Sequence, residues 1–386
     1  MEGFLEKELN RRKVPDLFTF LNGQRVNDLS GWENRKKEIR TILERECYGI
    51  TPDVTCEIQP EILIERDEAV CGKAYQKRVN LTVSMPYRWD KWPSFSYRYT
   101  ARPPWGGPEE LIEKLTFPIN VFIPKDVKNP PMFIYASFSP VLGSDFPLEE
   151  IIDQGYAITV FYYQDIVPDS KDDFLAGKVI NGDSSGKSEW AAIAKWAWAY
   201  SRIMDYLETL GGFDKNKAAV CGASRLGKAT LWAGAQDERF SLTVPMISGT
   251  GGAALYRENK KEKIDDLIRK FPHWFCGNYQ MYSAKEDVLP WDSHFVLSLI
   301  APRNLYIFSG EDDEVVDSES EFLAAKAVSP VYEIYSRKGL VEQDEYPKAG
   351  GEWHEGAIGY HLRKGPHCVS RHDWNALIRY REKHNV

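Results

Sequence analysis

The segment GASRLGK, residues 222–228, holds the side chains best suited to chemistry in this sequence. Ser224 follows the apolar run AAVC, and the pattern is that of a strand-to-helix turn, which exposes a nucleophilic serine. The glycine spacing is GxSxxG where GxSxG is usual; Gly222 would permit close approach before the serine, and Gly227 would let the helix pack closely on the strand. A serine that only caps the helix is the alternative interpretation.

Two cationic residues accompany this serine. Arg225 adjoins it and Lys228 lies one turn along the predicted helix, so both side chains can point into one pocket. Arg225 could stabilise a developing oxyanion with its guanidinium and its backbone N–H, and Lys228 could hold an anionic or hydroxyl-rich part of a substrate. Alternatively, both are solvated surface charges.

The elements that must position these residues are predicted by short continuous apolar runs beyond residue 130. Such runs, separated by helices, are typical of a parallel sheet buried on both faces. The runs span residues 132–138, 156–163, 218–224, 242–248 and 304–310. Between the second and third, residues 189–210 predict a strongly apolar helix pressed on the sheet, preceded by the cap-type residues Asp183, Ser184 and Ser185.

The N-terminal third has a different pattern. Residues 32–46 have helical spacing, whereas segments near residues 60 and 80 and residues 117–124 alternate like antiparallel strands. Antiparallel strands followed by a parallel βα series with a central strand–GxS–helix element predict an α/β-hydrolase, a three-layer sandwich around a mostly parallel sheet. We expect one catalytic domain over residues 1–386, with residues 1–50 as a helical extension packed on it.

Charge and composition exclude several classes of protein. The 386 residues carry 49 Lys+Arg against 57 Asp+Glu, and a net charge of −8 argues against a nucleic-acid-binding protein. The charged opening MEGFLEKELNRRK lacks the apolar core of a signal peptide, and no run approaches the roughly 18 apolar residues of a membrane span. We therefore expect a soluble monomer without membrane or nucleic-acid partners, cytoplasmic as given and secreted if a leader was removed.

Six cysteines are scattered without a CxxC pair, too sparsely for a disulfide scaffold and with the wrong spacing for a zinc site. We expect buried thiols. One disulfide among Cys47, Cys56 and Cys71 is the alternative.

Several unlinked segments together resemble the glucuronoyl esterases, carbohydrate esterase family fifteen. In chain order they are WAAIAKWAWAYSRIMDYLETL, GASRLGKATLWAGAQDERF, SGTGGAALYRENKKE, FPHWFCGNY, GYHLRKGPH and DWNALIRY. The resemblance is close over roughly residues 185–380 and loose before them. It implies metal-free serine hydrolysis, without a cofactor, of esters of 4-O-methyl-glucuronic acid, the xylan side chains that bond to lignin alcohols.

The resemblance also implies roles for individual residues. Ser224 matches the family's nucleophile, Arg225 its oxyanion-stabilising arginine and Lys228 its sugar-contacting lysine. Glu262 falls where many bacterial members have a glutamate that contacts the uronate hydroxyls.

The general base is expected late in the chain, because α/β-hydrolases run in the order Ser, acid, His. The histidines are His273, His294, His354, His361, His367, His372 and His384. His367, in KGPH, matches the family's catalytic histidine, and His361 is the alternative. The segment HEGAIGYH lacks the HExxH spacing that places two metal ligands on one helical face, so no metal is expected.

The acid is the least determined member of the predicted triad. Many family members carry a glutamate just before the SGxGG segment, where this chain has Ile247. Other members place the acid after the following strand, in a DPWAD-like segment; aligning GEDDEVVDSESEF with it sets Asp313 on the first aspartate and Asp317 on the second. Asp313 is therefore the predicted acid, and Val315 replaces the aromatic residue of that segment.

The sequence thus predicts a carboxylic ester hydrolase acting on glucuronate esters, as in glucuronoxylan or lignin–carbohydrate fragments. Two alternatives stay open: an acetylxylan or general carbohydrate carboxylesterase, suggested by Val315, and a non-catalytic uronate-binding relative, suggested by Ile247.

Overall fold

The computed structural model describes residues 3–87, 111–172 and 187–386. Within these ranges ten strands form one sheet in the order β1-β2-β3-β5-β4-β6-β7-β8-β10-β9. The strands are β1 Glu57–Ala69, β2 Ala74–Tyr87, β3 Leu111–Pro124, β4 Pro131–Ser137, β5 Ala157–Tyr162, β6 Asp214–Ala223, β7 Leu242–Met246, β8 Asn304–Gly310, β9 Gly351–Trp353 and β10 Ile358–Arg363.

The pairing of these strands changes once near each end of the sheet. Strands β1, β2, β3 and β5 pair antiparallel, the run from β5 through β10 is parallel, and the short β9 is antiparallel again. The predicted mostly parallel sheet with antiparallel N-terminal strands is therefore confirmed. The predicted strand over 242–248 is shorter than expected, because Ile247 turns out of the sheet with a φ of +41°.

Helices cover both faces of the sheet. Those of the described residues are α1 Phe4–Arg11, α2 Leu29–Leu43, α3 Leu148–Asp153, α4 Ala192–Leu210, α5 Arg225–Gln236, α6 Ile264–Lys270, α7 Ser293–Ser298, α8 Ser318–Ile334 and α9 Arg371–His384. Because side chains alternate along a strand, Ile134 of β4 is buried with Trp196 of α4 and Trp232 of α5. Its neighbour Phe133 packs on Trp374 of α9, with 5.3 Å between ring centroids. The sheet thus lies between two helical layers.

The apolar helix predicted over 189–210 is present as α4. It begins at Ala192, and Ala191 is the N-cap residue, without a side-chain capping bond from the described residues. The predicted cap residues Asp183, Ser184 and Ser185 lie outside the described residues. At the N-terminus, Leu5 of α1 and Trp32 of α2 belong to the same buried cluster as α4.

All six cysteines lie within the described ranges and carry free thiols. Cys47, Cys221 and Cys276 are buried, as expected, but Cys71 and Cys368 are exposed, so the prediction of buried thiols is wrong for these two. Both lie in connections, Cys71 between β1 and β2 and Cys368 after β10.

Across the described ranges, every helix is too short or too polar to cross a lipid bilayer.

Candidate active site

Ser224 occupies a sharp turn between β6 and α5. Its backbone has φ +54° and ψ −120°, a conformation that costs a residue with a side chain about 1–3 kcal/mol. The serine side chain makes no capping hydrogen bond to any described residue, although Ser224 stands in the N-cap position. The turn therefore presents the hydroxyl at the end of the strand instead of using it to cap the helix.

The two glycines around Ser224 are required by close approach. A Cβ on Gly222 would lie 2.9 Å from the carbonyl oxygen of Leu226, and one on Gly227 would lie 2.8 Å from the carbonyl oxygen of Met246 on β7. Both distances are too short for a side chain, so the GxSxxG spacing reflects how tightly α5 packs on β6 and β7.

The loops after β8 and β10 bring an aspartate and a histidine to the same edge of the sheet as Ser224. The Nε2 atom of His367 lies 3.0 Å from the Oγ of Ser224, and its Nδ1 lies 2.7 Å from the Oδ2 of Asp313. The three predicted triad members thus form one chain of hydrogen bonds. Because Nδ1 donates to the carboxylate, Nε2 is the acceptor that faces the serine hydroxyl.

Asp313 is a buried carboxylate, only 1% exposed, in an otherwise exposed acidic loop. Its Oδ1 accepts hydrogen bonds from the backbone N–H groups of Val315 and Val316 at 2.8 and 2.9 Å. Burial alone would raise the pKa of Asp313, but the bond from His367 and these backbone bonds outweigh it and lower the pKa. The carboxylate is therefore ionised and held in one orientation.

Asp317 and His361, the other residues weighed for the triad, have structural contacts. Asp317 is the N-cap residue of α8 and accepts hydrogen bonds from the N–H groups of Ser320 and Lys260. His361 is buried, with Nε2 2.8 Å from Asp373 and Nδ1 2.8 Å from the hydroxyl of Tyr306. Among the described residues, no three Cys, His, Asp or Glu side chains are grouped closely enough to hold a metal ion.

Arg225 lines the cavity beside Ser224, and its guanidinium is surrounded by aromatic rings. The guanidinium carbon lies 4.9 Å from the ring centroid of Trp274, 5.3 Å from that of Phe271 and 5.8 Å from that of Phe138. Its Nη1 forms an ion pair with Asp169. This aspartate is not among the residues predicted from the sequence.

The loop after β4 supplies an oxyanion-binding N–H in most enzymes with a strand–GxS–helix element. Here the N–H of Phe138 donates to Asp145 at 2.8 Å, and the N–H of Ser139 donates to the hydroxyl of Ser137 at 3.1 Å. Pro140 has no N–H, and the N–H of Val141 donates to Ser139 at 3.0 Å. The first four residues after β4 therefore have no spare amide in the described structure.

Lys228 and Glu262 lie side by side in the cavity wall. The Nζ of Lys228 donates to the carbonyl oxygen of Ser248 at 2.6 Å and lies 3.5 Å from the Oε2 of Glu262. Burial lowers the pKa of Lys228, although the neighbouring carboxylate opposes this shift. The Oε2 of Glu262 is buried and, apart from this ion pair, has no polar partner within the described ranges.

These residues surround a cavity of about 520 Å³, within the usual range for small-molecule sites. It is lined by Ser224, Arg225, Lys228, Ile247, Ser248, Lys260, Lys261, Glu262, Asp266, Lys270, Phe271, Trp274, Glu314, Val315, Val316 and His367. The aromatic surface comes from Phe271 and Trp274, stacked with 3.8 Å between ring centroids. At position 315, where the family resemblance implies an aromatic residue, this chain has Val315.

The loop that follows β7 begins at Ile247, which lines the cavity, and Gly249 of the same loop is bonded to Glu321. Ile247 is buried with φ +41°, unusual for a β-branched residue, and its N–H donates to the carbonyl oxygen of Phe308. Glu321 of α8 is fully buried, and its carboxyl group accepts from the N–H of Gly249 at 2.9 Å and from the hydroxyl of Ser309. Sequence reasoning missed Glu321, because its local sequence resembles any acidic first turn of a helix.

Burial raises the pKa of Glu321 to about 7 from its usual 4.5, and the negative charge of Asp313 adds to this increase. The hydrogen bonds donated by Ser309 and Gly249 and the positive charge of Lys228 act in the opposite direction. Between pH 4.5 and 7 the folded protein therefore binds a proton that the unfolded chain has released. We expect the free energy of unfolding to fall as pH rises through this window, by up to about 3 kcal/mol. In Glu321→Gln, which mimics the neutral acid, this decrease should disappear in urea unfolding at pH 5 and pH 8.

The matched control is Glu333→Gln, an exposed residue on the same helix, which should keep the wild-type pH profile. A pH profile of Glu321→Gln parallel to that of the wild type would show that Glu321 is ionised throughout this range.

Comparison with known proteins shows which family the chain resembles. A family model described as "Glucuronyl esterase, fungi" matches residues 112–336. Carbohydrate esterase MZ0003, from an unknown prokaryotic organism, is 31% identical over 98% of this chain and 91% of its own length. A 4-O-methyl-glucuronoyl methylesterase of Schizophyllum commune is 27% identical over 88% of this chain and 77% of its own length.

Solved structures give the same result. A glucuronoyl esterase from Solibacter usitatus has a TM-score of 0.80 and 30% identity over 96% of this chain and 97% of that chain. A promiscuous esterase of carbohydrate esterase family fifteen from a marine bacterial metagenome has a TM-score of 0.79 and 29% identity, covering 96% of each chain. The predicted α/β-hydrolase fold is confirmed, and the chain belongs to the glucuronoyl esterases, carbohydrate esterase family fifteen.

Proposed function

We propose that this protein is a serine esterase that hydrolyses esters of glucuronic acid, including the 4-O-methyl form. The observation that carries the proposal is the hydrogen-bonded chain from Ser224 through His367 to Asp313. It lies at the wall of a cavity that also contains cationic and hydroxyl-accepting side chains. Membership of the glucuronoyl esterases supports the substrate class.

In the proposed reaction, the Oγ of Ser224 attacks the ester carbonyl while the Nε2 of His367 takes its proton. Asp313 holds the imidazole and stabilises the imidazolium that forms. The C–O bond to the alcohol then breaks, and His367 returns the proton to the leaving oxygen. Water, activated by His367, cleaves the glucuronoyl–Ser224 ester and releases glucuronate and the free serine.

The oxyanion is proposed to be bound by two donors of one residue, the backbone N–H and the guanidinium of Arg225. The N–H of the first residue of a helix has no partner within that helix, so it can point at a bound oxygen. Because Phe138, Ser139 and Val141 use their amides within the loop after β4, the guanidinium supplies the second donor. This explains why an arginine follows the serine.

Lys228 and Glu262 are proposed to bind hydroxyl groups of the uronate ring. A hydrogen bond to a charged group contributes about 1.5–3 kcal/mol, or roughly 10- to 100-fold in binding or rate. We expect Glu262→Gln to lower kcat/KM for methyl or benzyl glucuronate by about this factor. Hydrolysis of 4-nitrophenyl acetate, which has no sugar hydroxyls, should be unchanged.

The matched control is Glu314→Gln, another carboxyl group of the cavity wall but one on its exposed side; it should affect both substrates little. If Glu262→Gln slowed the two substrates equally, its role in sugar recognition would be refuted.

The second candidate is an acetylxylan or general carbohydrate carboxylesterase, and the position of Val315 favours it. This side chain is 39% exposed at the cavity and gives no ring for a sugar to stack on. Purified protein assayed with acetylated xylo-oligosaccharides and with benzyl glucuronate separates the two. Preference for the acetyl ester would favour the second candidate, and uronate binding without turnover of either substrate would favour a non-catalytic relative.

We also propose that residues 1–386 act as one catalytic domain, and as a monomer. Burial of Leu5 and Trp32 in the cluster beneath the sheet supports packing of the N-terminal helices on that domain.

A further inference from the structure

Asp169 lies in the connection that follows β5 and is bonded to four donors. Its Oδ1 accepts from the Nε2 of His273 at 2.9 Å and from the indole N–H of Trp274 at 2.8 Å. Its Oδ2 accepts from the hydroxyl of Tyr163 at 3.1 Å and pairs with the Nη1 of Arg225. Because four donors bind its two oxygens, the carboxylate of Asp169 is fixed in one orientation.

The charge of Asp169 is maintained despite burial. The side chain is only 4% exposed, and burial alone would raise its pKa. The bonds from His273 and Trp274 and the charge of Arg225 outweigh burial and lower the pKa. The carboxylate is therefore ionised at neutral pH and faces the guanidinium as a fixed negative charge.

The guanidinium has few other polar contacts. Arg225 Nε is buried and has no hydrogen-bond partner in the described part of the chain. The remaining contacts are the rings of Trp274, Phe271 and Phe138, which confine the guanidinium plane without fixing the direction of its N–H groups. Asp169 supplies that direction.

We propose that Asp169 is a positioning residue that holds the Arg225 guanidinium where the oxyanion develops. The inference rests on the proposed function, because it needs Arg225 to act on the ester. An arginine side chain loses rotamer freedom when it is fixed in one position, and a donor must be in place before the reaction to stabilise the transition state fully. The aspartate pairs with Nη1 and leaves Nη2 of the guanidinium for the substrate.

The test is a double-mutant cycle on kcat with benzyl glucuronate. We expect Asp169→Asn to lower kcat about 10- to 100-fold with a smaller change in KM, since a donor misplaced by about 1 Å loses this much. Arg225→Met removes the group that Asp169 positions. In the Arg225→Met background, Asp169→Asn should therefore have little further effect.

Asp165→Asn is the matched control, because Asp165 is an exposed carboxyl group in the same connection; its kcat should equal that of the wild type. If Asp169→Asn does not fold, Asp169→Glu keeps the charge and displaces the carboxylate, and it enters the same cycle. A purely structural role predicts multiplicative losses in the cycle, which would overturn the inference. Inactivity of the wild-type protein on every glucuronate ester would instead refute the proposed function.

Discussion

Ser224→Ala is expected to lower kcat on methyl or benzyl glucuronate by about 10⁶-fold, because the variant lacks the only atom that forms the proposed covalent intermediate. The residual rate should come from the oxyanion donors and from substrate binding. The fold should be unaffected, since the hydroxyl makes no capping bond in the described structure and Ala needs no more space. Release of the alcohol, followed by chromatography or by a coupled dehydrogenase, measures this loss.

The control for this variant is Ser241→Ala. Ser241 immediately precedes β7, at the opposite end of the sheet from Ser224, and donates to the carbonyl oxygen of Ala218. It should keep full activity, and both variants should unfold at similar temperatures. Wild-type turnover by Ser224→Ala would eliminate the serine mechanism, and with it the roles proposed for His367 and Arg225.

Local sequence was sufficient to predict the parallel core of the sheet. Strands β4, β5, β6 and β8 are continuous apolar runs because helices cover both faces of the sheet. Most residues of these strands are therefore buried and apolar, which makes the strands easy to predict. The turn at Ser224 was equally predictable, because Gly222 and Gly227 are required by contacts within a few residues of the serine and with β7.

The parts that sequence could not predict depend on contacts between distant segments. Asp169 meets Arg225 and Trp274 across 56 and 105 positions of the chain, and nothing beside it distinguishes it from a loop aspartate. The start of α4 at Ala192 was also missed, since a polar segment before an apolar helix predicts a cap without fixing its position. The family resemblance assigned roles to Glu262 and His367. It carries no information on the amides after β4, whose hydrogen bonds within their own loop depend on its folded conformation.

Asp313→Asn is expected to lower kcat by about 10⁴-fold, the second largest effect. The reason lies in the two backbone N–H groups of Val315 and Val316, which bind Oδ1 of Asp313. In the variant, the amide oxygen should stay on these donors, so the amide NH₂ must face the Nδ1 of His367. An NH₂ donor there requires an unprotonated Nδ1, which moves the ring proton to Nε2 and leaves no acceptor for the hydroxyl of Ser224.

Asp313 differs in its contacts from the other acids of its loop. Asp312 is exposed and bonded to Lys364 and Gly365, so Asp312→Asn should retain wild-type kcat with benzyl glucuronate. If Asp313→Asn kept activity instead, another carboxyl group would have to orient His367. The position that the family offers for such a carboxyl group is occupied by Ile247, whose side chain cannot accept a hydrogen bond.

The defect of Asp313→Asn should lie in kcat, with unchanged affinity for glucuronate, because the variant alters the tautomer of His367 and leaves Lys228 and Glu262 in place.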